Sequence, residues 1–143
     1  MKNTISALFL CLVATSAAKA QPVNRGDLYA ACIEYHNIKW KDRENSTLKH
    51  FTTSQLKQLD PYSFEAMKQR CDCTVTAAFK NLSEGTIEAY SKALNENGDG
   101  IILKNKKAAE EFKKADMMDK DIACAEKSMD ASGYEKKLME LSK

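Results

Sequence analysis

Cys71-Asp72-Cys73 places two residues capable of covalent chemistry one position apart. Exposed thiols of low pKa exchange disulfides, so a redox pair is the first reading to weigh. The usual redox spacing is C-x-x-C beside a strand–helix unit, and no strand-like run precedes Cys71. On a helix, two positions correspond to about 200° of rotation. The two sulfurs then face opposite ways and cannot bond each other. Each must clasp a different segment of the chain, which favours structural staples over redox chemistry.

Apart from Cys11, the remaining cysteines are Cys32 and Cys124, one on each flank. Four cysteines allow three connectivities. Helical geometry removes one and leaves Cys32–Cys71 with Cys73–Cys124, or the crossed alternative. The first is preferred, because Cys32 and Cys71 lie on apolar faces whereas Cys73 and Cys124 lie off them.

Other chemistry is sparse. Asn95, Asn97 and Asp99, followed by Gly100 and by Ile102 at the eighth position, resemble the spacing of a calcium-binding loop. Two departures weaken it: Asn95 brings no charge, and Lys106 stands where a bidentate Glu belongs. A glycine-rich turn is the better reading, and no metal is expected. His36 and His50 are the only histidines, and neither lies in a zinc-binding or hydrolytic motif. There is no nucleophile elbow and no glycine-rich phosphate loop, and no cofactor is expected. The scattered carboxylates single out no acid–base pair.

The elements that must position these residues read as helices. Asp60-Pro61 has the form of a helix start, with Asp60 capping and Pro61 in the first turn. Phe64, Met67, Cys71, Val75, Ala78 and Leu82 then recur at helical spacing. Cys73 points to the other side, beside Ala66 and Ala77. A helix touched on both sides is expected to be central.

Gly26-Asp27 precedes an earlier helix to about Asp42, with Leu28, Ala31, Cys32 and Tyr35 inward. Asn45 to His50 reads as a polar connection, and Thr52-x-x-Gln55 as a capping box for a short helix carrying Leu56 and Leu59. After the central helix, Ser83 caps a helix with Ile87, Tyr90 and Leu94 inward, stopping at Asn97-Gly98. Ile101 to Leu103 reads as a core plug. A helix from about Lys104 to Met118 follows, with Ala108, Phe112 and Ala115 inward. Its outer face pairs Lys106 with Glu110, Lys107 with Glu111, and Glu110 with Lys114.

Asp119 caps the next helix, with Ile122, Cys124, Ala125 and Met129. Ser132-x-x-Glu135 is a capping box for an amphipathic end carrying Tyr134, Leu138 and Leu141. That end docks on its own core or on a partner. Trp40, the only tryptophan, likewise lids the core or anchors a partner. Met67, Met117, Met118 and Met129 read as flexible core filling. The expected fold is all-α: a single small domain of five or six short helices around a central helix, stapled by two disulfides.

Residues 1–20 have the form of a secretory signal: Lys2, an apolar run from Ile5 to Val13, and Ala18-Lys19-Ala20 as the cleavage site. Cleavage after Ala20 removes Cys11 and leaves an even cysteine count for an oxidising compartment, periplasmic or extracellular. It also removes Lys2 and Lys19, so 22 basic residues become 20 against 20 acidic. A neutral chain has no electrostatic pull toward nucleic acid or anionic lipid, and the apolar run is too short to span a bilayer. Asn45 and Asn81 begin glycosylation sequons that matter only in a eukaryotic secretory route. The expected function is binding to another exported protein as an inhibitor, immunity or accessory factor. A carrier of a small apolar ligand comes second, and a thiol-disulfide or hydrolytic enzyme third.

Overall fold

A computed structural model describes residues 22–96 and 100–143. The expected signal segment with Cys11, and Asn97 and Asp99 of the calcium-like loop, lie outside them. The described residues form six helices and no strand.

The first helix, α1 (Arg25–Ser46), is opened by a capping box. Asn24 Oδ1 accepts from the Asp27 amide at 3.0 Å and the Asn24 amide donates to Asp27 at 3.3 Å. Asp27 therefore lies inside the first turn rather than ahead of it, since a carboxylate three positions in can return the bond. The helix continues past Asp42, giving 22 residues. The following connection is not purely polar: Leu48 and Phe51 turn inward and are buried.

The main correction concerns α2 (Thr53–Asn81), which runs for 29 residues straight through Pro61. The Thr52–Gln55 capping box does start a helix, at 3.2 and 2.8 Å. That helix does not end at Asp60-Pro61, and Asp60 caps nothing. Proline removes one backbone bond and crowds the preceding turn, costing about 3 kcal/mol in a helix interior. Burial of Leu59 on one side, and of Ser63, Ala66 and Met67 on the other, holds the helix across the gap. Ser63 Oγ also donates to the Asp60 carbonyl at 2.8 Å.

The expected stripe on α2 is buried from Met67 through Cys71, Val75, Ala78 and Leu82, but Phe64 is 53% exposed. Thr74 is buried at the edge of this stripe, and Ala66 is buried on the other side. The helix is therefore packed on two faces.

In α3 (Glu84–Asn95), Ile87, Tyr90 and Leu94 are buried. Its N-terminus is capped from elsewhere. Ser83 makes no side-chain cap of its own; instead its hydroxyl donates to Glu111 Oε2 at 2.7 Å, and its amide to Glu111 Oε1. Glu111 is thus drawn into α3 rather than pairing with Lys107. Of the surface ion pairs expected on that helix, Lys106–Glu110 is present at 4.0 Å. Ile101 and Leu103 pack on the core, while Ile102 is 71% exposed.

The helix expected from Lys104 to Met118 is divided. α4 (Lys106–Lys114) is capped by Asn105, and α5 (Met117–Ala131) begins after Asp116, whose φ of 51° is left-handed. Aspartate tolerates that conformation better than most residues. Asp119 lies within the first turn of α5 and is not its cap. α6 (Tyr134–Leu141) begins after Gly133, whose φ of 74° turns the chain. Ser132 accordingly forms no capping box with Glu135; its hydroxyl donates to the Met129 carbonyl at 3.1 Å.

α5 and α6 run back along α2. Thr74 meets Asp121, Cys73 meets Cys124, and Gln55 donates to the Leu141 carbonyl at 2.8 Å. Two clusters result: one around Cys32, Cys71, Val75, Tyr90 and Leu94, the other around Leu48, Phe51, Leu59, Ala66 and Tyr134. The disulfides are Cys32–Cys71, tying α1 to α2 with Cα atoms 5.8 Å apart, and Cys73–Cys124, tying α2 to α5 at 5.7 Å.

Candidate functional site

The disulfide between Cys73 and Cys124 fixes α5 against α2, and one turn away this brings charged groups together. Arg70 Nε donates to Asp121 Oδ1 at 3.1 Å and its Nη2 donates to Oδ2, closing a two-point ion pair. Thr74 Oγ1 donates to the same carboxylate at 2.8 Å. Asp121 is only 6% exposed. Burial pushes its carboxyl up, but the Arg70 guanidinium and the Thr74 hydroxyl outweigh that and hold it below the ordinary carboxylate range.

His36 of α1 faces this pair and is 8% exposed. Burial, helped by the Arg70 cation and opposed by Asp121, lowers its pKa to about 4. The imidazole is therefore neutral at physiological pH. Ligand atoms of His36, Cys32 and Cys71 lie within 4.8 Å of one another. Both sulfurs are bonded to each other, however, so in the oxidised protein only the imidazole of this trio can ligate a metal.

Beside the pair, α1, α2 and α5 form a hollow of about 170 Å³ that is open to solvent. Its polar lining comes from His36, Lys39, Arg43, Arg70 and Ser128, and its apolar lining includes Trp40, Ala66, Met67, Ala125 and Met129. Three of these side chains are cationic, and no carboxylate lines the space. Trp40 and Met67 also line a second hollow, whose other walls include Glu44 and Asp60.

Trp40 is held in place on three sides. Its Nε1 donates to Glu44 at 2.7 Å, Arg43 lies over the ring at 5.5 Å, and Tyr134 meets it edge-on with ring centres 4.9 Å apart. It packs on the second cluster, as a lid would. Tyr134 is 1% exposed, and Leu138 and Leu141 pack on the same cluster. Of the α6 residues considered for a partner, Tyr134 is thus buried in the chain's own core, while Leu138 and Leu141 are partly buried.

His50 lies apart from this site, exposed against Phe51. Asn95 ends α3 on the surface. Met67 and Met117 are buried as core filling, whereas Met118 is exposed. Ile122, expected on the inward face of α5, is exposed too.

Arg70, Asp121, Lys39 and Arg43 were not singled out by sequence reasoning. The signal lay in the disulfide pairing: once Cys73 is joined to Cys124 on antiparallel helices, position 121 comes level with Thr74, within reach of the long Arg70 side chain. Comparison with known protein families, with curated protein sequences and with solved structures gave no significant match.

Proposed function

We propose that this chain is an exported protein that acts by binding another protein through a disulfide-stapled helical surface. The observation that carries the reading is the outer face of α5. Met118 and Ile122, one turn apart, are 50% and 51% exposed on a helix whose inner face is anchored by Met117, Asp121 and Cys124. A rigid element presenting apolar side chains loses little freedom on association, which favours affinity. The signal-like start of the chain and the even count of bonded cysteines support an oxidising compartment.

The test is affinity capture with the oxidised protein from periplasmic or culture fluid, beside a Met118→Asp, Ile122→Asp double variant. A partner held by the parent and released by the variant supports the reading. No retained protein, or equal retention by both, contradicts it.

A second reading, carriage of a small apolar ligand, is favoured by the hollow between α1, α2 and α5. Saturable binding of a small apolar compound, followed by calorimetry and by the emission of Trp40, tests it. Absence of saturable binding by both readouts contradicts it.

A further inference from the structure

We propose that the hollow between α1, α2 and α5 binds a small carboxylate whose apolar body is about six carbons in size. The inference rests on the small-ligand reading and adds the chemical class. It is independent of the α5 surface.

Size sets the body of the ligand. The hollow measures about 170 Å³. An engineered apolar cavity of about 150 Å³ holds benzene, so a six-carbon body is commensurate. Met67 and Met129 form part of the wall, and flexible thioethers adapt to irregular apolar shapes.

Charge sets the head. Arg43 lines the hollow from α1, and Arg70 stands across from it on α2. Asp121 neutralises one edge of Arg70, using Nε and Nη2. The two N–H donors of Nη1 stand outside that pair. A guanidinium held on one edge by a buried carboxylate is fixed in orientation, and planar forks of this kind match carboxylate oxygens. The neighbouring hollow beyond Trp40 and Met67 is lined by Glu44 and Asp60 against a single cation, Lys41, which makes it less suited to an anion. The balance of lining charge therefore differs across the shared wall.

The experiment uses three ligands of equal body and different head: hexanoate, hexan-1-ol and hexylammonium. Each is titrated into the oxidised protein by calorimetry, with Trp40 emission as a second readout. Hexanoate is expected to bind saturably, about tenfold or more tighter than hexan-1-ol, with hexylammonium weakest. Arg43→Gln, in the last turn of α1, is expected to weaken hexanoate several-fold more than hexan-1-ol. Equal binding of acid and alcohol, or preference for the amine, overturns the anion assignment and leaves the carrier reading standing. No saturable binding of any of the three overturns both.

Discussion

Arg70 and Asp121 join α2 to α5 by two hydrogen bonds within one ion pair, and the carboxylate takes a third bond from Thr74. Burial makes this pair consequential. The side chain of Asp121 is 8% exposed and that of Arg70 27%, so neither is solvated as a surface ion would be. Removing one partner strands the other charge in a poorly solvated place.

Arg70→Met or Asp121→Leu alone is expected to lower unfolding free energy by about 3–5 kcal/mol. The double substitution is expected to recover most of that loss, because it leaves no unpaired charge. Urea denaturation of the two single variants and the double variant at pH 7 measures this. Additive losses would mean that the pair is not coupled.

His36 makes the fold sensitive to mild acid. Its folded pKa, about 4, lies below the unfolded value of 6.5. As pH falls below 6.5 the unfolded chain gains a proton that the native state refuses, so stability decreases until the pH reaches about 4. At about 1.4 kcal/mol per pH unit, the loss between pH 7 and pH 5 is about 2 kcal/mol. Asp121 contributes in the same direction at still lower pH, since its depressed carboxyl pKa gives stability that protonation removes. The imidazole titration, followed by NMR, is expected to have its midpoint near 4, and an ordinary midpoint would contradict the burial described for His36.

Tyr134 carries a hydroxyl that, among the described residues, is the buried side-chain polar atom left without a hydrogen-bond partner. Its ring packs on Trp40 while its oxygen is desolvated, which also pushes the phenol pKa up. Tyr134→Phe keeps the packing and removes the stranded group. It is expected to be neutral or stabilising by up to about 1 kcal/mol, whereas Tyr134→Ala is expected to cost about 3–5 kcal/mol. A marked loss of thermal stability on the change to Phe would contradict this account.

The disulfides close long loops, with sequence separations of 39 and 51. Chain entropy assigns each about 4 kcal/mol. Replacing Cys32 and Cys71 together by Ala is expected to destabilise more than replacing Cys73 and Cys124, because both sulfurs of the first pair lie in the main core and leave space behind. Thermal unfolding of the two double variants distinguishes them.

What the sequence made legible was the periodic part. The spacing of Met67, Cys71, Val75, Ala78 and Leu82 identified the buried face of α2, and the rotation between Cys71 and Cys73 separated their partners. Local signals misled where distant packing overrode them. Pro61 has the form of a helix start, yet burial on both sides carries the helix through it. Ser83 looks like a cap for its own helix, yet a carboxylate 28 positions away does the work. Phe64 and Ile122 follow an inward period but face out, because the neighbouring helices cover only part of each surface. The Arg70–Asp121 pair left no local mark at all, since a separation of 51 residues is bridged only by the fold.

The whole arrangement depends on Cys71 and Cys73 reaching opposite neighbours. Digestion of the unreduced, denatured protein with a protease that cuts before aspartate separates them, since Asp72 lies between. Mass spectrometry is then expected to find the peptide from Asp60 to Cys71 joined to the one beginning at Asp27. The peptide beginning at Asp72 is expected to be joined to the one from Asp121 to Met129. A bond between the peptide from Asp60 to Cys71 and the one from Asp121 to Met129, or between the peptides that end at Cys71 and begin at Asp72, would contradict the fold and the readings built on it.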